Sequence, residues 1–198
     1  ISVDTDRAIT VVGVPTLHGF DHTAITDRIE VASWACAAFV TNGKIFVKNA
    51  KQHEMMTFLN KYRQVGGEFV IKDDGIEFFR GATVNAIALE TDVHPGFMTD
   101  WQQPFTVVLT QLPGASIVHE TVYENRFWYV EALNRMGAQI QLFKECLGGR
   151  HCRFGQQNHL HSAVVTGPTT LHGAELTIPN LRAGFSYVIA ALAAEGES

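Results

Sequence analysis

The sequence of 198 residues is poor in charge, in clustered basic residues and in long apolar runs. Charged residues make up 18% of the chain, and 15 Lys plus Arg against 20 Asp plus Glu leave a formal net charge of -5. Because nucleic-acid backbones are bound by clustered Lys and Arg, we expect no nucleic-acid partner. The longest apolar-rich stretch, residues 183–194, is shorter than the roughly 20 residues that span a membrane, so we expect no membrane partner either.

Cysteine is scarce, and the first residues do not resemble an export signal. Cys36, Cys146 and Cys152 cannot all pair with one another. The chain opens with Asp4 and Asp6 rather than with a basic segment followed by an apolar one. These features predict a reduced, cytoplasmic protein.

The sequence also lacks the short motifs of nucleotide-binding loops, serine hydrolases and zinc proteases: G-x-G-x-x-G, the P-loop, G-x-S-x-G and H-E-x-x-H. Two cysteines and three histidines could be considered as zinc ligands: Cys146, His151, Cys152, His159 and His161. Their C-x5-C and H-x-H spacings differ from the short paired knuckles of structural zinc sites. We therefore predict no cofactor and no metal site.

What the sequence does contain is an internal repeat. Residues 11–19 (VVGVPTLHG) recur as residues 165–173 (VTGPTTLHG). Each copy precedes an apolar helix pattern opened by a polar residue, which is Asp27 after the first copy and Asn180 after the second. A third such helix opens at Thr99. Side chains of these types accept hydrogen bonds from the free amides of a first helical turn, so all three positions predict helix starts.

Two of these helix starts also have capping-box spacing: Asp27 with Glu30, and Thr99 with Gln102. The three helix patterns are apolar nearly all round, so we expect the helices to be buried. A more amphipathic helix follows the first two of them, over residues 52–64 and 126–136.

The repeat predicts the fold class, which is α/β (α+β) with repeated β-α-β-α-β-β units in one domain, residues 1–198. Gly43 and Gly114 are 71 positions apart, and Gly67 and Gly137 are 70 apart. The units cover about 9–80, 81–163 and 164–198, with a polar, turn-rich insertion near 143–163. Because the third unit stops after its first helix, we expect the chain to be part of a longer protein.

Asp100 is the first candidate for chemistry. It lies at the start of the predicted helix that opens at Thr99, after a loop that contains Pro95 and Gly96. A carboxylate in a first turn is stabilised by the helix dipole, which is a sufficient structural role. The alternative is that Asp100 is a general base at the mouth of a cleft.

Arginines recur at the helix starts, where a positive charge is unfavourable for the helix dipole. Arg28, Arg126 and Arg182 each follow an Asp or Asn by one or two positions. Guanidinium groups bind phosphate and carboxylate through paired hydrogen bonds, and helix N-termini add backbone amides for the same anions. This pattern favours an anion site, although a solvated side chain beside a cap is the simpler alternative for Arg126.

Five short strings resemble the enolpyruvyl transferase family, in the branch of the UDP-N-acetylglucosamine 1-carboxyvinyltransferases. They are 27–30 (DRIE), 95–100 (PGFMTD), 120–127 (ETVYENRF), 136–138 (MGA) and 181–184 (LRAG). The resemblance implies an inverse α/β prism and the transfer of the enolpyruvyl group of phosphoenolpyruvate to the 3-hydroxyl of UDP-N-acetylglucosamine, which opens peptidoglycan synthesis. It also implies that the chain covers mostly the family's second domain, with the reactive cysteine in a first domain outside the chain.

Site residues follow from the same resemblance. Asp100 matches the catalytic base that contacts the sugar hydroxyl, Val122 a backbone contact to the sugar nucleotide, and Arg182 a phosphoenolpyruvate ligand. Arg126 matches a substrate-binding arginine of the cleft. Two alternatives stay open, which are a non-catalytic binding or assembly domain and an enzyme like 3-phosphoshikimate 1-carboxyvinyltransferase.

Overall fold

Helices and strands alternate along the chain in the computed structural model, which describes residues 1–6, 8–150 and 152–198. The helices of these residues are α1 (Arg28–Val40), α2 (Met56–Gln64), α3 (Thr99–Thr110), α4 (Val130–Arg135) and α5 (Leu181–Ala193). The strands are β1 (Ser2–Val3), β2 (Ile9–Thr10), β3 (Lys44–Lys48), β4 (Gly67–Lys72), β5 (Gly75–Arg80), β6 (Ala88–Glu90), β7 (Gly114–His119), β8 (Gln139–Phe143) and β9 (Ser162–Gly167).

The strands form two main sheets that match the two predicted units. In the first, the order β3-β5-β4 is antiparallel throughout. In the second, with the order β6-β7-β9-β8, β6 runs parallel to β7 and the other pairs are antiparallel. The segment from β6 to β9 is therefore a complete β-α-β-α-β-β unit, as the sequence predicts, whereas the proposed division of the chain into three units in one domain stays a prediction.

Two glycines mark equivalent positions of the repeat. Gly66 follows α2 with a φ of 93°, and Gly137 follows α4 with a φ of 101°. Both occupy the left-handed position that glycine adopts after the last turn of a helix. The repeat offset is thus 71 at this point (137 minus 66), the same as between Gly43 and Gly114, so the alignment of Gly67 with Gly137 was one position out.

Two of the predicted helix caps are confirmed. The Asp27 carboxylate accepts a hydrogen bond from the amide of Ile29 at 2.8 Å. The Asn180 side chain accepts bonds from the amides of Arg182 and Ala183 at 3.0 and 3.1 Å. Each cap satisfies amides that the first helical turn leaves free, and so fixes where α1 and α5 begin.

The predicted capping box of Thr99 with Gln102 is wrong. Thr99 is the first residue of α3, and Met98 occupies the capping position without a side-chain hydrogen bond. The Thr99 hydroxyl and the Gln102 amide donate instead to Glu120 Oε2, at 2.9 and 3.2 Å. Charge-assisted bonds to a buried carboxylate are stronger than the bonds of a capping box to backbone amides, so tertiary structure overrides the local pattern.

The core surrounds α3, which packs against both α1 and α5. Ten of its twelve residues are buried, including Trp101 and Phe105, which pack edge-on against Phe58 of α2. The expectation of three buried helices holds for α3 and for most of α1, whereas α5 leaves Val188 49% and Leu192 54% exposed. Across the described residues, we find no helix with the length and hydropathy needed to cross a membrane.

Two long stretches of the described chain lie outside the main sheets and helices and bear on the predicted repeat and insertion. Residues 11–27, which include the first copy of the repeated string, are mostly exposed and contain no strand or helix. Residues 144–161 form the turn-rich connection from β8 to β9, where the sequence predicts an insertion. His151, one of the histidines considered for zinc, lies outside the described residues.

Candidate functional site

The N-termini of α1, α3 and α5 meet at one end of the core. The three helices pack against one another, and Trp101 Nε1 near the start of α3 donates to the carbonyl of Arg28 at the start of α1 at 3.2 Å. A small cleft of about 110 Å³ opens there. Its lining residues come from these helix starts: Asp27, Ile29, Glu30, Ser33, Asp100, Leu181, Arg182 and Phe185. Helix N-termini carry partial positive charge and free amides, so this end of the core suits anions.

Asp100 lies between two arginines in this cleft. Arg126 Nη2 donates to Oδ1 of Asp100, and Arg182 Nε lies 3.3 Å from Oδ2. The side chains of Asp100 and Arg182 are 27% and 32% exposed, whereas that of Arg126 is 9% exposed. Three of the four residues predicted for the site are therefore in direct contact, although they are distant in sequence.

Arg126 reaches the site from the 3-10 helix Arg126–Tyr129. Its guanidinium lies over the ring of Tyr123, 5.0 Å from the centroid. Within the described residues, its Nε is buried without a hydrogen-bond partner. A buried guanidinium with an unused donor beside a carboxylate is an unusual and costly arrangement, which favours a role in holding an anion.

Asn125, which directly precedes Arg126, does not cap the 3-10 helix. It adopts a left-handed conformation with a φ of 52° and makes no capping hydrogen bond. Its side chain lies 3.2 Å from Nδ1 of His159 instead. Asn tolerates this backbone region better than most residues, so it allows the sharp turn into the 3-10 helix.

Glu120 is the residue of this region that sequence reasoning missed. It is fully buried just after β7, and Oε2 accepts from Thr99 and Gln102 of α3. Oε1 accepts from the amides of Val122 and Tyr123 at 2.8 and 2.9 Å. All four partners are donors, as an ionised carboxylate requires. Glu120 thereby fixes the loop that leads to Arg126 against the helix that carries Asp100. The sequence signal for this role was an acidic residue at the end of an apolar strand.

Val122 differs from the other predicted residues because its backbone is already engaged. Its amide donates to Glu120, and its carbonyl accepts from Arg153 Nη2. It is not among the described residues that line the cleft. Its expected contact with a sugar nucleotide therefore stays a prediction.

A second polar cluster lies where the end of β7 meets the turn-rich connection between β8 and β9. It consists of four residues: His119, Cys146, Cys152 and His161. Each offers one nitrogen or sulfur atom, and these four atoms all lie within 4.8 Å of one another. We call these four residues the histidine–cysteine cluster. His159, considered from the sequence, is not part of it. His119, which belongs to it, was missed because it lies 27 positions before Cys146 (146 minus 119).

Glu90 supports this cluster from the neighbouring strand β6. Its Oε2 lies 3.4 Å from Nδ1 of His119, and the carboxylate accepts from the amides of Gly149 and Arg150 at 3.0 and 2.9 Å. Burial acts to raise the pKa of the Glu90 carboxyl, but these two amides and His119 hold it below its usual value. Cys36, by contrast, lies in the core of α1, where burial raises the pKa of its thiol.

Solved structures share this fold. The enolpyruvyl transferase NikO from Streptomyces tendae superposes with a TM-score of 0.72 at 20% identity, over 88% of this chain and 38% of that one. An EPSP synthase structure from Acinetobacter baumannii gives a TM-score of 0.59 at 16% identity, again over 88% of this chain and 38% of its own. At these identities the likeness establishes the fold, and it confirms the expected enolpyruvyl-transferase-like α/β architecture.

Curated relatives with much higher identity share one name. UDP-N-acetylglucosamine 1-carboxyvinyltransferase of Protochlamydia amoebophila (strain UWE25) is 55% identical, over 100% of this chain and 43% of the relative. The protein of the same name from Chlamydia pneumoniae is 51% identical, over 99% of this chain and 43% of the relative. The chain thus spans less than half the length of these relatives. The family model for EPSP synthase (3-phosphoshikimate 1-carboxyvinyltransferase) matches residues 1–198, so the chain belongs to the EPSP synthase family.

Proposed function

We propose that this chain supplies part of the active site of a carboxyvinyltransferase that acts on phosphoenolpyruvate and UDP-N-acetylglucosamine, in the step that opens peptidoglycan synthesis. The observation that carries the proposal is the Asp100 carboxylate held between Arg126 and Arg182 at the meeting point of three helix starts. The relatives named for this activity, at 49–55% identity, support the choice of substrates.

The reaction needs a base and a set of cations. The oxygen of the sugar 3-hydroxyl bonds to C2 of phosphoenolpyruvate while C3 gains a proton. The C2–O bond to phosphate then breaks, phosphate leaves, and loss of a proton from C3 restores the double bond. In this scheme Asp100 accepts the proton of the attacking hydroxyl, and Arg182 binds phosphoenolpyruvate. Arg126 orients Asp100 through one nitrogen and offers its remaining N–H donors to the substrate.

The ion pairs of the site suggest how binding and chemistry are coupled. Arg182 lies 3.3 Å from Oδ2 of Asp100, so an anion that takes up Arg182 competes with that oxygen. Once released, Oδ2 is available to the sugar hydroxyl. Arg126 continues to hold Oδ1 and to orient the carboxylate. Binding of phosphoenolpyruvate at Arg182 thus frees the base for the sugar hydroxyl.

In this proposal, the other catalytic and substrate-binding groups come from another domain of the same polypeptide. The whole enzyme works in the cytoplasm. The chain spans about 43% of the length of its relatives, and the described cleft holds only about 110 Å³. Val122 lies on the loop next to Arg126 and is proposed to contact the sugar nucleotide through its backbone. Enzymes with two substrates commonly close a second domain over such a cleft to exclude water.

A chimera tests this proposal directly. Residues 1–198 replace the matching segment of the Protochlamydia amoebophila relative, which supplies the rest of the protein. We expect phosphate release that requires both phosphoenolpyruvate and UDP-N-acetylglucosamine, with the unaltered relative as control. The 198-residue chain alone should release none, because part of the reacting set is absent.

The two rival functions give different results in the same assay. A folded chimera that binds UDP-N-acetylglucosamine but releases no phosphate would contradict the proposal and favour a non-catalytic binding domain. Phosphate release with 3-phosphoshikimate in place of the sugar nucleotide would favour the synthase alternative, for which the named relatives give less support.

A further inference from the structure

The two histidines of the histidine–cysteine cluster each have one ring nitrogen held by an acceptor. His119 Nδ1 lies 3.4 Å from Oε2 of Glu90, and His161 Nδ1 lies 2.9 Å from the carbonyl oxygen of His159. A ring nitrogen that faces an acceptor carries the proton, which leaves the lone pair on Nε2 of each ring. Both side chains are fully buried, so the two lone pairs are withdrawn from water.

His119 Nε2 has no hydrogen-bond partner within the described part of the chain. Leaving a buried polar atom unpaired is costly, so each such atom in a native protein needs an explanation, and a bound ion is one. His161 Nε2 lies 3.3 Å from the sulfur of Cys146. The sulfur of Cys152 completes the cluster, and all four atoms lie within 4.8 Å of one another.

This spacing fits a tetrahedral metal site after a small contraction. Zinc binds sulfur at about 2.3 Å and imidazole nitrogen at about 2.0–2.1 Å, so its four ligand atoms lie about 3.3–3.8 Å apart. The contact of 3.3 Å between Cys146 and His161 already has this length. The cysteine sulfurs lie on the turn-rich loop between β8 and β9, and metal binding would draw the four atoms together by the remaining distance.

We propose that His119, Cys146, Cys152 and His161 bind one Zn²⁺ in a closed structural site. Two thiolates and two imidazoles in a tetrahedral arrangement suit zinc better than Mg²⁺ or Ca²⁺, which prefer oxygen ligands. Four protein ligands fill the coordination sphere and leave no position for a substrate, which is the pattern of structural rather than catalytic zinc. Cys146 is exposed and provides the route by which the metal enters.

The surroundings of the cluster fit the same site. The Glu90–His119 contact is the carboxylate–histidine arrangement that orients metal-binding imidazoles. The amide of Phe154 donates to the sulfur of Cys152 at 3.3 Å, which stabilises a thiolate. Gly148 packs so closely that an added Cβ would lie 2.0 Å from Nδ1 of His119, so this turn accepts no side chain.

A metal here fixes the connection between β8 and β9 to the end of β7. The two cysteines lie in the loop, His161 directly precedes β9, and His119 ends β7. The same loop carries Arg153, which donates to the carbonyl of Val122 and pairs with Glu124. Zinc therefore gives the inserted loop a structural role and replaces the expectation of no metal, which rested on spacing in the sequence alone.

Metal analysis of the full chain tests the site. We expect about one zinc ion per chain in protein purified under reducing conditions without chelators. Cobalt should give the absorption bands of tetrahedral Co²⁺ with thiolate ligands. Cys146→Ser, Cys152→Ser and His161→Asn should each lose most of the metal. His159→Asn is the matched control, since His159 lies in the same loop but contacts Asn125 instead.

A graded variant keeps the test decisive if the ligand variants fail to fold. Glu90→Gln leaves all four ligands in place and should weaken zinc binding about 10–100-fold in a competition titration. Zinc absent from the wild-type chain, or equal in the wild type and the ligand variants, would overturn the proposal. A Cys146–Cys152 disulfide in metal-free protein prepared with reductant would overturn it as well.

Discussion

The cleft around Asp100 collects its side chains from the starts of three separate helical elements, whereas the histidine–cysteine cluster draws on the end of β7 and the loop between β8 and β9. In the cleft, opposite charges are partly exposed, and Arg182 lies 3.3 Å from a carboxylate that an incoming anion can displace. In the cluster, both imidazoles are fully buried and Glu90 fixes the orientation of His119. In the cleft, an incoming ligand can replace a partner of an ion pair, as a reaction requires. In the cluster, the side chains are held in fixed positions.

This contrast predicts that changes in the cleft affect turnover and leave metal content unchanged. The largest effect is expected for Asp100→Asn in the chimera. Asn is nearly isosteric and is tolerated in a first helical turn, so folding should lose at most the dipole interaction, about 0.3–1 kcal/mol. An amide cannot accept the hydroxyl proton, and positioned bases contribute about 10²–10⁴-fold, so turnover should fall by that factor. Steady-state kinetics and thermal unfolding measure the two quantities.

Near-normal turnover of this variant would return Asp100 to a structural role at the start of α3. A loss of zinc from the same variant would contradict the independence of the two sites.

An intermediate effect is expected for Arg182→Ala. Hydrogen bonds to charged groups contribute roughly 1.5–3 kcal/mol, so phosphoenolpyruvate should bind about tenfold more weakly or worse. The affinity for UDP-N-acetylglucosamine should change much less. Equilibrium binding of each substrate to the chimera provides the measurement, with Arg28→Ala as the matched control, because Arg28 also lies at a helix start but faces His94. Equal loss for both substrates would indicate damage to α5 rather than a lost ligand.

The smallest effect on kinetics is expected for Arg153→Ala, at the residue that links the inserted loop to the loop before Arg126. Arg153 is more than half exposed and connects the inserted loop to Val122 and Glu124. Exposed ion pairs contribute about 0–1 kcal/mol, so Arg153→Ala should raise the KM for the sugar nucleotide by less than about fivefold and leave zinc content unchanged. A large fall in kcat would show that the inserted loop takes a direct part in the reaction, and the two sites would then have to be treated as one.

Local patterns predicted the parts of this structure that depend on neighbouring residues. The caps Asp27 and Asn180 and the repeat unit from β6 to β9 follow from signals within a few residues of each feature. Asp100, Arg126 and Arg182 were named as site residues through family resemblance, and the structure brings them into contact. Their roles in catalysis stay predictions.

The parts that were missed depend on strand pairing. Glu120 draws Thr99 and Gln102 away from the predicted capping box because β7 brings a buried carboxylate to the start of α3. His119 joins Cys146 because β7 pairs with β9, with His119 opposite Ser162. Neither contact can be predicted from the spacing of residues along the sequence.

The repeated string shows the same limit. In the second copy, Val165 lies in β9 between two partner strands, and the amide of His172 donates to the carbonyl of Met136 at 2.7 Å. In the first copy, Val12 is 77% and Leu17 is 87% exposed. Similar sequences adopt different structures because the first copy has no partner strand within the described residues.

The end of β7 has a consequence for how this protein can change over generations. His119 and Glu120 are adjacent, and successive residues of an extended chain point to opposite sides. His119 therefore lies in the histidine–cysteine cluster, and Glu120 contacts the start of α3, which carries Asp100. A substitution at either position damages one site and spares the other. A single inserted or deleted residue within residues 114–120 exchanges the two sides and removes both sites together. A change of length in this segment is therefore expected to cost more than a substitution at either position.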